Sequence, residues 1–161
     1  MGQAQQRKSH LTRMLAEQPW CIYCGGETPG SSVDHMPPIA VCDDRLRPVG
    51  MEFIACKECH DGTRKTDQVA GLFCRVYPNS TSPTARQEIA KIFAGLRNNQ
   101  PEVFNELRPT RRQLQFVRSA TGVMADGGGA FNVGDNTHER IMQFGARAAL
   151  ALHYRAGIPR A

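Results

Sequence analysis

Apolar positions along much of the chain recur with the three- and four-residue spacing of amphipathic helices. In residues 3–17 this spacing aligns Leu11, Met14 and Leu15, and Pro19 follows as a stop signal. Later apolar stripes consist of Val69, Leu72, Phe73 and Val76, and then of Ile89, Ile92, Phe93 and Leu96. We therefore predict helices over residues 3–17, 59–77, 102–107 and 110–119. Another helix is predicted to begin at Pro83 after a Ser82 N-cap. The last begins near Asn136, with Gly157 and Pro159 as its stop signals.

A region without helical spacing lies between the first two helices. Residues 21–56 are rich in Gly, Pro and β-branched residues, which is typical of short strands and loops. The strand candidates are residues 31–36, ended by Pro37-Pro38, and residues 51–55. We predict an α+β fold with a strand-containing module at residues 19–77, between an N-terminal helix (1–18) and a mostly helical C-terminal extension (78–161).

Two local signals precede the last helix. Residues 121–135, which contain Gly127-Gly128-Gly129, are predicted to form a mobile loop. Asn136 and Glu139 have the spacing of a capping box, so we expect Asn136 to cap the helix that follows.

Composition restricts the class of protein. The chain has 161 residues, of which 40% are hydrophobic and 22% charged, which is ordinary globular usage and argues against wholesale disorder. No stretch approaches the roughly 20 apolar residues of a membrane span, and the N-terminus lacks the apolar core of a signal peptide. We expect a soluble, cytoplasmic protein with no membrane partner.

Four of the six cysteines form two C-x-x-C pairs. Cys21 and Cys24 are separated from Cys56 and Cys59 by 31 residues. Each pair can present two thiolates from a tight turn, and two pairs complete a tetrahedral Zn²⁺ site. The alternative is two unrelated pairs, buried or joined as disulfides, which is less expected without a secretion signal. Gly25-Gly26 provides the freedom that such a turn needs, and Cys42 and Cys74 are predicted to be inert buried thiols.

The residues around these cysteines resemble the HNH endonucleases of the ββα-metal (His-Me finger) class, in the type anchored by a four-cysteine zinc. The resemblance covers roughly residues 19–77 and is carried by Cys21-x-x-Cys24, Asp34-His35, Cys56-x-x-Cys59-His60 and Arg64-Lys65. It implies two strands and a helix around the active site, a structural zinc, and metal-dependent hydrolysis of phosphodiester bonds in DNA, in a bacterial or phage setting.

The resemblance also implies a role for each matching residue. Asp34 corresponds to the metal-binding carboxylate, His35 to the general base that activates water, and His60 to the second metal ligand. Arg64 and Lys65 lie where basic residues can reach phosphate. The family's middle Asn is replaced by Glu52, which we expect either to orient His35 or to approach the metal; loss of activity is the other interpretation.

Elementary chemistry agrees with these roles. A neutral imidazole has a pKa suited to accepting a proton from water, and a divalent cation offsets charge that develops on phosphate. One carboxylate and one imidazole leave positions open for water and phosphate, which suits Mg²⁺ or Mn²⁺, although Ni²⁺ or Zn²⁺ would also bind. Because neighbouring residues on a strand point to opposite faces, Asp34 and His35 need a bulge or a strand end to address one phosphate.

Charge is distributed unevenly along the chain. The formal net charge is +5, yet residues 21–77 contain six basic and eight acidic residues, whereas residues 78–118 contain seven basic and three acidic ones. DNA affinity is therefore expected to come mainly from outside the catalytic module. The candidate phosphate contacts in this flank are Arg108, Arg111, Arg112 and Arg118. The alternative is that these arginines form a solvated helix surface.

The sequence leaves two further interpretations open. One is a catalytically inactive zinc module that binds DNA or a protein partner, which Glu52 in place of Asn supports. The other is a purely structural zinc protein in a larger assembly. The last helix could contribute to the core or to a homodimer interface, and the oligomeric state is not determined by the sequence.

Overall fold

Two short strands are surrounded by helices. The structure, a computed structural model, describes residues 2–42, 46–76, 83–121 and 131–157, without the side chains of residues 3, 83–85 and 117–121. The elements are α1 (Gln3–Glu17), β1 (Ser32–His35), a 3-10 helix (Ile39–Val41), β2 (Glu52–Ala55), α2 (Lys57–Asp61), α3 (Thr63–Val76), α4 (Pro83–Asn99), α5 (Pro101–Glu106), α6 (Arg111–Thr121) and α7 (Asp135–Arg155). This confirms the predicted α+β class, with an N-terminal helix and a helical C-terminal part.

The strands β1 and β2 form an antiparallel pair. Asp34 pairs with Phe53 and His35 pairs with Glu52, in a one-to-one register from Ser32 to His35. β1 therefore has no bulge, and His35 is its last residue. The predicted strands are confirmed, with β1 one residue shorter at each end and β2 one residue shorter at its start than predicted.

The helix predicted over residues 59–77 is wrong in its bounds. It begins earlier and is divided at Gly62 into α2 and α3. Glycine is a weak helix former. In addition, the Thr63 hydroxyl donates a 2.7 Å hydrogen bond to the carbonyl of His60, so a side chain takes the place of a backbone donor at the break. The break places His60 near the end of a helix of its own.

The largest apolar cluster joins the middle helices. Val69 and Leu72 on α3 are fully buried against Leu96 on α4 and Val103 on α5. The remaining members of the two predicted stripes pack around them, so both predicted helix faces are confirmed. Burial of a few such side chains, each contributing about 1.5 to 3 kcal/mol, stabilises this helical part of the molecule.

A second cluster attaches the last helix to the strands. Ala151 on α7 is fully buried against Phe53 on β2, and Ile22 and Met36 complete the cluster. Consequently α7 spans the molecule from α5 to the β1–β2 pair. Of the two roles left open for this helix, Ala151 contributes to the core, whereas the neighbouring Leu152 is 57% exposed.

The predicted capping box of α7 is wrong. Gly134 is the N-cap, and Asn136 lies inside the first turn without capping it. The carboxylate of Glu106, at the end of α5, accepts hydrogen bonds from the backbone N–H groups of Asn136 (3.1 Å) and Thr137 (2.9 Å). A Cβ atom on residue 134 would lie 2.6 Å from Glu106, so a glycine here lets this carboxylate reach the helix.

Two other predictions concern thiols and loops. Cys42 is buried, as predicted, but Cys74 is exposed, because it lies away from the face of α3 that holds Val69 and Leu72. Most of the loop predicted over residues 121–135 lies outside the described residues, as do Ser82 and Pro159. Within the described parts of the chain, no helix combines the length and apolar character required to cross a bilayer.

Candidate metal and catalytic site

The two C-x-x-C pairs come together in space. Cys21 and Cys24, before β1, and Cys56 and Cys59, at the start of α2, have all four Sγ atoms within 4.8 Å of one another. Tetrahedral Zn²⁺ with Zn–S bonds of about 2.3 Å separates its sulfur ligands by about 3.8 Å. The four cysteines therefore form a cluster that could hold a metal ion such as zinc, as the spacing predicted.

Backbone geometry shapes the first cysteine turn. Gly25 and Gly26 have φ values of +80° and +81°, a conformation that favours glycine, as the sequence predicted. The N–H of Gly26 donates to the carbonyl of Cys21 (3.0 Å), and the N–H of Tyr23 approaches the Sγ of Cys21 at 3.4 Å. Amide donors directed at sulfur favour the thiolate, which is the form that binds metal.

The thiols differ in their electrostatic surroundings. Desolvation acts to raise the pKa of Cys24, but hydrogen bonds from Thr28, Cys21 and Glu27 outweigh it and lower that pKa to about 7. Burial raises the pKa of Cys59, and the neighbouring thiols Cys56 and Cys21 raise it further. Four sulfurs in this small volume therefore need a cation if all are to be ionised.

Asp34 is buried on β1 and strongly bound through one oxygen. Its Oδ2 accepts hydrogen bonds from the Tyr23 hydroxyl (2.6 Å) and from the Arg147 guanidinium (2.8 Å). Burial, and then the Asp34 charge, raise the pKa of Tyr23, so this phenol stays protonated and remains a donor. These contacts hold the carboxylate in one orientation and direct Oδ1 toward α2.

His60 on α2 faces the other oxygen of Asp34. The His60 Nδ1 lies 4.0 Å from Asp34 Oδ1, and this nitrogen is buried without a hydrogen-bond partner. Two ligands of one cation with bonds of about 2.1 Å lie about 3.0 to 4.2 Å apart. The 4.0 Å separation lies near the upper end of this range.

His35 contacts a different group of residues. Its Nδ1 lies 3.5 Å from Glu52 Oε1, across the pair that joins the ends of β1 and β2. The other oxygen of Glu52 lies 3.0 Å from the Nε2 of His10 on α1. Burial, and then the charge of Arg47, lower the pKa of His35, which favours the neutral imidazole. Glu52 thus contacts His35. Among the described interactions, Glu52 has no contact with Asp34 or His60, as the alternative metal-binding role would require.

Sequence reasoning missed Arg147 on α7. Its guanidinium donates to Asp34, to Asp67 (2.9 Å) and to the Thr66 hydroxyl (3.2 Å), and lies 5.3 Å above the ring of Tyr23. Only 12% of the side chain is exposed. No local motif marks this arginine, because its partners are distant in sequence. Sequence reasoning also missed Tyr23, whose position inside the first C-x-x-C pair was the only signal available for it.

The comparisons with known proteins give no match. Neither a family model, nor a curated protein, nor a solved structure matches this chain. Function must therefore be inferred from the residues and contacts described above.

The structure describes the side chains of most of the basic residues that were predicted to contact phosphate. Arg64 and Lys65 are exposed at the start of α3, just after the helix that carries His60. In the basic flank, Arg108, Arg111 and Arg112 are exposed, while the side chain of Arg118 lies outside the described residues. These exposed cations are available to a polyanion.

Proposed function

We propose that this chain is a metal-dependent endonuclease of the HNH type that hydrolyses phosphodiester bonds in DNA. The observation that carries the proposal is the approach of Asp34 Oδ1 to the buried, unpartnered Nδ1 of His60 at 4.0 Å. An unpaired buried nitrogen costs about 1 to 3 kcal/mol, and a bound ion is one explanation for such an atom. The four-cysteine cluster beside it supports the same assignment.

Two metal roles follow from the two donor sets. The soft thiolates of Cys21, Cys24, Cys56 and Cys59 suit a structural Zn²⁺. The carboxylate of Asp34 and the imidazole of His60 suit an exchangeable divalent ion, Mg²⁺ or Mn²⁺ in the first instance and Ni²⁺ or Zn²⁺ as alternatives. When bound, this second ion would offset the charge that develops on the phosphate oxygens.

The protein residues divide the remaining work. His35 accepts the proton of the attacking water, because a neutral imidazole is present near neutral pH. Tyr23 and Arg147 hold Asp34 from behind, so the carboxylate needs little reorganisation to act as a ligand. Arg64 and Lys65 contact the DNA backbone beside the site, and the basic flank at Arg108, Arg111, Arg112 and Arg118 supplies further affinity.

A plasmid-nicking assay with Mg²⁺ or Mn²⁺ tests the proposal. The parent converts supercoiled plasmid to open-circular or linear DNA, and His35→Ala reduces the rate by a factor of about 100 or more. His138→Ala is the matched control, because His138 is an exposed histidine on α7. Equal rates for the parent and His35→Ala would reject His35 as the base.

A second candidate function is supported by the ion pair between Asp34 and Arg147. This pair already balances the charge of the buried carboxylate, as it would in a zinc module that only binds DNA or a protein. The second candidate predicts salt-sensitive DNA binding, with no cleavage in any divalent metal. The unpaired Nδ1 of His60 favours the nuclease, because binding alone gives no reason to leave it unsatisfied.

A further inference from the structure

A row of polar side chains connects α1 to the end of β1. Arg13 Nη2 lies 3.0 Å from His10 Nδ1, His10 Nε2 lies 3.0 Å from Glu52 Oε2, and Glu52 Oε1 lies 3.5 Å from His35 Nδ1. The side chains of His10, Glu52 and His35 are each about one-third exposed, at 31%, 34% and 34%. No motif in the sequence connected α1 with the candidate base.

The donor properties of these groups fix where the protons lie. Arginine only donates, so the His10 Nδ1 that faces Arg13 must be the acceptor nitrogen. The proton of a neutral His10 is then on Nε2, the atom that faces Glu52 in an ion-pair contact rather than a hydrogen bond. A carboxylate only accepts, so its other oxygen favours a proton on the Nδ1 of His35.

We propose that α1 is a positioning element for His35. Arg13 and His10 hold Glu52, and Glu52 keeps His35 in the tautomer with the proton on Nδ1. The Nε2 lone pair of His35 is then available to accept a proton from water. The catalytic consequence rests on the proposed endonuclease function, whereas the tautomer itself does not.

Glu52 suits this role in a way that an asparagine would not. Its two carboxylate oxygens face two imidazole nitrogens at once, Nε2 of His10 and Nδ1 of His35, and its charge favours a proton on each of them. An amide has a single oxygen, and its NH₂ group would donate to a ring nitrogen and favour the opposite tautomer. Because the side chains are partly exposed, these contacts contribute mainly orientation and only a little stability.

The first test is nuclear magnetic resonance of the ¹⁵N-labelled protein at about pH 8, where histidine is neutral. Long-range ¹H–¹⁵N correlations of the His35 ring report which nitrogen carries the proton. We expect the Nδ1–H form in the parent and a shift toward the Nε2–H form in Glu52→Ala and His10→Ala. Arg7→Ala is the control, because it removes a cation from an exposed position on the same helix.

Two results would overturn the inference. One is an Nε2–H tautomer of His35 in the parent; the other is a His35 ring unchanged in both Glu52→Ala and His10→Ala. Thermal melts establish that each variant is folded, and His10→Gln serves if His10→Ala is not. Since a glutamine amide still donates to Glu52, this variant should retain the parent tautomer.

Cleavage kinetics form the second test. We expect His10→Ala to lower kcat by about tenfold with little change in KM, and His10→Gln to recover most of the loss. A uniform rise in KM, or a parent-like kcat in His10→Ala, would contradict the role of α1. If the parent cleaves no DNA, the endonuclease proposal fails, and the tautomer measurement alone decides the positioning by α1.

Discussion

Asp34 is the residue at which three distant parts of the chain meet. Its Oδ2 is bound by Tyr23 from the first cysteine turn and by Arg147 from α7, while its Oδ1 faces His60 on α2. Its side chain is 7% exposed, so its charge must be balanced within the protein. The proposed metal-binding role and the stability of the fold would therefore be coupled at this one side chain.

The first residue-scale prediction concerns the ligand pair. Asp34→Asn and His60→Ala should each weaken Mn²⁺ binding by about tenfold or more, because each removes one of two protein ligands. Isothermal titration measures the affinity, and elemental analysis should find the zinc content unchanged. Glu58→Gln is the control, because it removes an exposed carboxylate from the same module. Unaltered Mn²⁺ affinity in both variants would remove Asp34 and His60 as ligands.

The second residue-scale prediction concerns Arg147. Arg147→Met leaves Asp34 and Asp67 without their shared cation, and we expect the free energy of unfolding to fall by about 3 kcal/mol. Urea denaturation measures this change, with Arg155→Met on the exposed side of α7 as the comparison. If the two variants are equally stable, the ion pair does not stabilise the fold.

At the scale of elements, α7 is anchored at both ends of its length. Glu106 binds its first turn, and Ala151 is buried against the strands. Between these anchors lies Arg147. The orientation of α7, and through it the contact with Asp34, therefore depends on a carboxylate at the end of α5.

The element-scale prediction is a pH-dependent loss of stability in Glu106→Gln. Burial acts to raise the pKa of Glu106, but hydrogen bonds from Asn136 and Thr137 outweigh it and lower the pKa to about 2. The folded-state pKa is below that of the unfolded chain, so the stabilisation is present above about pH 4.3 and is lost as the pH falls toward 2. We expect Glu106→Gln to lower the free energy of unfolding by about 1 to 2 kcal/mol at pH 7. Urea melts at pH 7 and pH 2.5 should show the difference between parent and variant shrinking at the lower pH.

Prediction from sequence succeeded where the determining interactions are local. The spacing of Val69 and Leu72 defines one helix face, and each C-x-x-C pair marks a turn that can present two thiolates, since each signal depends on residues a few positions apart. The capping of α7 could not be predicted in this way. Its cap is Glu106, which is 31 residues from Thr137, and this distant carboxylate prevails over the nearby Asn136 signal.

The same limit applies to the candidate site. Asp34 and His60 were indicated by their order around the cysteines, and the structure brings them together. Arg147 and His10 carry no such signal, because their partners are reached only through the packing of α7 and α1 against the strands. The predicted roles of Asp34 and His60, like those of His35, Glu52 and the basic residues, stay predictions.

At the scale of the whole molecule, acidic and basic regions are separate. The module at residues 21–77 has a net charge of −2, and residues 78–118 have a net charge of +4. If the protein binds a polyanion, we therefore expect the long-range attraction to come from the helical part of the chain rather than from the candidate catalytic residues.

We accordingly predict that replacing both Arg111 and Arg112 with Gln weakens DNA binding without altering sequence preference. If each arginine contacts one phosphate, the slope of log affinity against log salt falls by about 2. Fluorescence anisotropy over a salt series measures this slope. The matched control is the double change Arg86→Gln and Lys91→Gln, which removes the same charge from exposed positions on α4. Equal slopes in both double variants would place the DNA contacts elsewhere.

A second whole-molecule prediction follows from the cysteine cluster. A strong zinc chelator should unfold the strands, and with them the attachment of α7, because the four thiols surround the start of α2 and the approach to β1. Near-ultraviolet circular dichroism should show loss of tertiary signal, and zinc should restore it. Full retention of that signal after removal of the metal would show that the cluster is not required for folding.

The contact between Asp34 and Arg147 also bears on how the molecule comes into being on the ribosome. The two residues are 113 positions apart, so the carboxylate is synthesised long before its cation. A nascent chain that has emerged only as far as α6 has the cysteines, Asp34 and His60, but not the group that balances the buried charge. A polypeptide truncated before α7 is therefore left with a site that is chemically incomplete, and the competent form arises only after nearly all of the described chain has been translated.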